Sequence, residues 1–171
     1  CSSLNGAAMP KFPSMDEYNG AVQNPAVVFS DPELRSSNVL TNNLGLPMAL
    51  GGGFALTYTA VVGAKKYAVR CFHKEVVGLG NLYKPISSKL NALRSNSFVT
   101  FQYFDQGILV NGSRFPLVKM AWAEGEVLGA YLELKYRDKA ALTALRNNFI
   151  QLESYLINHG LAHGDLQNGN V

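Results

Sequence analysis

Apolar and polar positions change rhythm several times along this 171-residue chain. Residues 1–45 show little rhythm: Ser, Asn, Gly and Pro abound, and the apolar pieces around Tyr18–Val22 and Ala26–Phe29 are short. This stretch reads as an irregular leader with a single helical turn, of the kind that wraps a neighbouring domain or stays partly mobile. From Pro47 the pattern tightens. Phe54–Val62 and Lys66–Phe72 are rich in aromatic and β-branched residues, and the glycine-containing link Val62-Gly63-Ala64-Lys65 predicts a hairpin between them. Asn81–Arg94 spaces Leu82, Ile86, Leu90 and Leu93 as an amphipathic helix does, with Pro85 moving its expected start towards Lys84. Strands are expected at Phe98–Phe104, Ile108–Val110 and Phe115–Trp122, the second turned by Asn111-Gly112. A short helix, Glu126–Leu134, precedes a long one, Asp138–His159. In the long helix Leu142, Leu145, Phe149, Leu152 and Leu156 share a face, Asp138 caps the start and Gly160 the end. The order β-β-α-β-β-β, then helices, predicts an α+β fold.

Composition agrees with a packed domain. Hydrophobic residues make up 47% and charged ones 16%, the reverse of a disordered chain. No apolar run approaches the ~18 residues of a membrane helix, so no membrane span is expected. The net charge of +3 is mild, and Lys65, Lys66, Arg70, Lys84, Lys89 and Arg94 are scattered. Nucleic-acid binding calls for a denser basic stripe, so no nucleic-acid partner is expected. Cys1 and Cys71 have neither metal-ligand nor disulfide-framework spacing, and Cys71 sits in a strand pattern as a buried, reduced thiol. A start of Cys-Ser-Ser fits a processed lipoprotein. Without the basic, apolar segment that would precede it, a fragment boundary and a cytoplasmic setting are the expectation.

Chemistry concentrates in the last nine residues, His163-Gly164-Asp165-Leu166-Gln167-Asn168-Gly169-Asn170-Val171, which directly follow the long helix. Asp, Asn and Gly also make ordinary polar turns. The position after a long helix and a strand-rich region distinguishes this run. It resembles the catalytic loop of the protein-kinase-like superfamily, H-x-D-x-x-x-x-N. There a carboxylate accepts the proton of the attacking hydroxyl, and an amide oxygen five residues later helps hold Mg²⁺ on the phosphates. The resemblance implies these roles for Asp165 and Asn170, with His163 holding the loop.

Roughly residues 46–171 follow the same pattern. Gly51-Gly52-Gly53-Phe54-Ala55 resembles the glycine-rich loop whose backbone approaches the phosphates of ATP, with Phe54 and Tyr58 in the matching aromatic positions. Tyr67-Ala68-Val69-Arg70 is similar to V-A-I-K on the third strand, which puts Ala68 against adenine and Arg70 at the phosphates. The resemblance makes Met120 the gatekeeper and Ala121, Trp122 and Ala123 the hinge, followed by Glu124-Gly125. With residues 1–45 read as leader, the resemblance implies 46–123 as a small lobe (a five-stranded antiparallel sheet plus one helix) and 124–171 as the start of a helical large lobe. The combination of Gln23-Asn24-Pro25, Gly45-Leu46-Pro47, Val69-Arg70-Cys71-Phe72, Lys119-Met120-Ala121-Trp122 and His163-Gly164-Asp165-Leu166-Gln167 is similar to a little-characterised group of bacterial predicted Ser/Thr protein kinases.

Three departures qualify what the resemblance implies. Arg70 stands where the family has lysine, and a planar guanidinium is no simple substitute for an ammonium. Asn81–Arg94 holds no acidic residue to pair with it, Glu75 being the nearest. The D-F-G segment with its Mg²⁺-holding aspartate would come after Val171, so the 171-residue chain by itself is expected not to transfer phosphate. Gly164 and Gln167 also move the loop towards aminoglycoside- and choline-type small-molecule kinases. The expected partners are a nucleotide, a protein or small-molecule hydroxyl, and whatever covers the Leu142–Leu156 helix face. A non-catalytic kinase-like module, binding nucleotide or docking proteins, is the other reading.

Overall fold

A computed structural model describes residues 11–95 and 97–162, and these form two compact units divided between Trp122 and Ala123. The fold is mixed α+β. In the first unit three short helices, α1 (Met15–Ala21), α2 (Pro25–Val28) and α3 (Pro32–Arg35), lead into β1 (Asn38–Val39), β2 (Ala49–Gly51), β3 (Ala55–Val62) and β4 (Lys65–Phe72). Then come α4 (Leu79–Leu93), β5 (Phe101–Val110) and β6 (Ser113–Ala121). The strands form one antiparallel sheet in the order β1-β3-β4-β6-β5, with β2 also pairing β3.

Both expected turns are present. Val62 pairs with Lys65 around Gly63-Ala64, and Val110 pairs with Ser113 around Asn111-Gly112. Asn111 and Gly112 both take positive φ, 49° and 79°, as a tight hairpin turn of this hand requires.

Four details differ from the sequence expectation. The sheet has six strands rather than five: two short strands precede β3, and two of the expected strands are one. Phe98–Phe104 and Ile108–Val110 are not separate: β5 runs through both, with a register shift between Phe104 and Ile108. A bulge absorbs the polar Asp105-Gln106-Gly107 interruption without ending the strand. Helix α4 begins at Leu79, ahead of Pro85, and it turns Leu79, Tyr83 and Ser87 to the sheet rather than the leucine stripe. Leu82 and Ile86 are exposed.

The fourth difference lies in residues 11–45 of the leader, which form three short helices rather than a single helical turn and pack on the sheet. Ser14 caps α1 in a reciprocal box: its hydroxyl accepts from the Glu17 N–H, and the Glu17 carboxylate accepts from the Ser14 N–H. Asp31 accepts from the Leu34 N–H at 2.8 Å to start α3. Tyr18, Val22, Val28, Phe29 and Leu34 are buried against Leu56, Tyr58, Ala60, Val69, Cys71 and Leu117. The Tyr18 hydroxyl donates to the Phe72 carbonyl oxygen at 2.7 Å. These leader residues thus supply about a third of the main core and cover one face of the sheet.

The second unit contains α5 (Leu128–Lys135) and α6 (Lys139–Asn158). Asp138 caps α6 by accepting from the Ala141 N–H at 3.0 Å, and Gly160 ends it at φ 58°. No residue of α6 is buried. An open groove of about 490 Å³ runs along its apolar side, lined by Phe149, Leu152, Leu156 and Leu161 among others.

Candidate functional site

Residues directly opposite each other on paired strands project to the same face of a sheet, and neighbours along a strand alternate. The register therefore assigns Ala68, Arg70 and Met120, which the resemblance puts at a nucleotide, to a face. Leu50, Thr57, Arg70 and Val118 form one cross-strand row. Thr59, Ala68, Met120 and Phe101 form the next. Both rows lie opposite the leader. Helix α4 covers only part of this face, where Leu79 and Tyr83 pack on Phe72, Phe101 and Tyr103. Among the described residues of the first unit no helix covers the other end. Thr57, Thr59, Ala68, Arg70 and Met120 are each half-buried there, and Leu50 is 71% exposed.

This end is bordered by the β2–β3 turn, Gly51-Gly52-Gly53-Phe54. The Gly52 N–H donates to the Ala55 carbonyl oxygen at 2.9 Å and closes the turn. None of the three glycines has a positive φ, and a Cβ on Gly51 or Gly53 would meet nothing within 4 Å. The turn's own geometry therefore does not require glycine at either position. Phe54 is exposed, with the Lys74 ammonium 5.6 Å from its ring centre.

Arg70 makes no ion pair among the described residues; Glu75 does not reach it. Ala121 and Trp122 finish the strand with both N–H groups occupied, donating to Thr100 and Lys66 carbonyl oxygens at 3.0 and 3.1 Å. Ala123 opens the second unit. The structure thus brings Gly51, Gly52, Gly53, Phe54, Ala68, Arg70, Met120, Ala121 and Trp122 into one unit. Asp165 and Asn170 lie outside the described residues, as does His163. Among the described residues no group of three His, Cys, Asp or Glu side chains is placed to hold a metal, so the expected Mg²⁺ ligation rests on Asn170 and has no counterpart in this face. Its small Ala68, apolar Met120 and unpaired Arg70 suit a flat base and an anion.

Sequence reading overlooked two polar features. On the leader side, the buried Lys119 ammonium lies 3.0 Å from Asp31 Oδ1 and 2.7 Å from Glu33 Oε2, above the Tyr67 ring. Tyr67 and Lys65 also donate to Glu33, and hydrogen bonds from Lys119 and then Tyr67 hold the Glu33 carboxyl down at about 2. This network fastens α3 to β4 and β6. Its only trace in the sequence is a charged residue inside the apolar β6 pattern. The second feature is His73, directly after β4. Its backbone N–H donates to the Phe54 carbonyl oxygen at 3.0 Å, and its Nε2 lies 3.1 Å from the Gly52 carbonyl oxygen.

No helix among the described residues is long and apolar enough to cross a membrane. Compared with protein-family models, curated proteins and solved structures, the chain matches none of them.

Proposed function

We propose that this chain is the nucleotide-binding portion of a kinase-like phosphotransferase that moves a phosphoryl group from ATP to a hydroxyl, on protein Ser or Thr. One observation carries the reading. The leader covers one face of the sheet, while the opposite face leaves Ala68, Arg70, Met120 and Leu50 accessible beside a turn whose Gly51 and Gly53 have no internal need of glycine. Adenine would lie on Ala68 and Met120 along the Ala121–Ala123 segment, and the phosphates between Arg70 and the turn. Asp165 would accept the substrate proton, and Asn170 would hold Mg²⁺ with an aspartate expected after Val171.

A non-catalytic, nucleotide-binding or docking module is the second reading. The absence of a carboxylate partner for Arg70 among the described residues favours it, since the phosphate-contacting cation is not locked in place. Calorimetry with Mg·ATP tests the shared part: wild type binds, and Ala68→Trp, which fills the base position, does not. Phosphate transfer from γ-labelled ATP by the full-length protein, set against Asp165→Asn, separates the two readings. Equal rates would remove the enzyme reading. Turnover on low-molecular-weight alcohols and none on proteins would move the substrate to the small-molecule class.

A further inference from the structure

Beyond its own Gly52–Ala55 hydrogen bond, the turn at residues 51–54 is held by His73. His73 takes both of the carbonyl groups that point towards it. Its main-chain N–H donates to the Phe54 oxygen at 3.0 Å, and its ring Nε2 faces the Gly52 oxygen at 3.1 Å. A carbonyl oxygen only accepts, so this contact requires the Nε2–H form of the imidazole.

The Gly52 oxygen and the Gly53 N–H belong to the same peptide plane. Every peptide bond among the described residues is trans, so the two groups point in opposite directions. Tying the oxygen to His73 aims the Gly53 N–H away from His73. No protein acceptor among the described residues takes the Gly53 or the Phe54 N–H. With the Gly52 and Phe54 oxygens engaged and the Gly53 and Phe54 N–H groups free, this part of the turn suits an anion. A Cβ at Gly53 would touch no protein atom, so the space beside this amide is open.

We propose that His73 is a positioning residue which, through the Gly52 carbonyl, orients the Gly53 amide towards the phosphates of a bound nucleotide. The proposal rests on the nucleotide-binding reading above. It adds a residue outside the resemblance and separates phosphate affinity from base affinity. Without the imidazole, the Gly52–Gly53 peptide plane rotates freely and the amide loses its aim. The base and sugar, seated on Ala68 and Met120, do not sense the change.

The test is calorimetry of Mg·ADP and of adenosine with the full-length protein and two variants. His73→Leu, which removes the side-chain donor, weakens ADP about tenfold, the size expected for one charge-assisted hydrogen bond, and leaves adenosine unchanged. His73→Gln, which keeps an N–H donor at similar reach, restores most of the ADP affinity. In wild type, the Gly53 amide resonance shifts on adding ADP and stays in place with adenosine. A His73→Leu variant that binds ADP as wild type does would overturn the positioning role while leaving the nucleotide reading intact. Equal weakening of ADP and adenosine would also overturn it, marking His73 as merely structural. A wild type that binds neither ligand would overturn both. The Gly53 resonance needs no variant to fold, and an unmoved signal with bound ADP counts against the proposal.

Discussion

Lys119 Nζ and Asp31 Oδ1 lie 3.0 Å apart, both side chains nearly closed to solvent, although 88 residues separate them in the chain. Removing one partner of such a pair leaves the other charge stranded in the core. Lys119→Met is expected to lower unfolding free energy by about 3–5 kcal/mol in urea titrations. Adding Asp31→Asn, which keeps an oxygen to cap α3, is expected to recover part of that loss. A single variant as stable as wild type would show that the pair contributes little.

Acid acts on the same network through Glu33. Its carboxyl is lowered from an ordinary 4.5 to about 2 in the folded chain, by Lys119 first and Tyr67 second. Between those values the unfolded chain binds the proton and the folded chain does not, so acidification favours unfolding. The stabilisation is complete above about pH 4.5 and is lost as pH falls towards about 2. Denaturant midpoints at pH 6 and pH 3 are expected to differ more for wild type than for Glu33→Gln. Because Glu33 is one-third exposed, added salt is expected to narrow that difference.

Two glycines offer opposite outcomes. A Cβ at Gly107 would lie 2.3 Å from Leu117 Cγ and 2.9 Å from Phe104 Cβ, inside the core. Gly107→Ala is therefore expected to destabilise the fold by about 1–3 kcal/mol or more, read as a lower thermal midpoint. At Gly53 the same change meets no protein atom. Gly53→Ala is expected to leave the thermal midpoint in place while weakening ADP binding. Unchanged affinity would argue against a close approach of phosphate to this turn.

Cys71 is fully buried, and burial raises its thiol far above the usual range. In a Cys1→Ser background, labelling of Cys71 by a thiol reagent is expected to proceed no faster than global unfolding. Rapid labelling under native conditions would show local opening of β4.

The sequence announces features whose causes are local. The Asn111-Gly112 turn, the Gly63 hairpin and the Asp138 and Gly160 caps need only near neighbours, and all are present. The leader shows why other features stayed hidden. Its start signals are in the text (Ser14 three residues before Glu17, Asn24 before Pro25, Asp31 before Pro32), but helices this short carry no periodicity. They persist because Tyr18, Phe29 and Leu34 are buried by strands far along the chain. In α4 the leucine spacing pointed to the wrong face, since an aromatic cluster around Tyr83 and the Ser87 bond to the Phe101 carbonyl set the orientation. The residues proposed to face a nucleotide were named one by one through resemblance. That Leu50, Thr57 and Arg70 share a row depends on strand register, which spacing alone does not give.

The long tether between Asp31 and Lys119 also has a consequence for synthesis. A ribosome adds residues in order, and 88 of them separate the first partner from the second. At ~5–20 residues per second, Tyr18, Val22, Phe29 and Leu34 wait roughly 4–18 s before β6 can shelter them. For that interval the nascent chain displays the leader's share of a core whose β5 and β6 residues have not yet been made. The segment that seals the finished sheet is therefore the one most exposed to aggregation, or to capture by a chaperone, while the protein is being born.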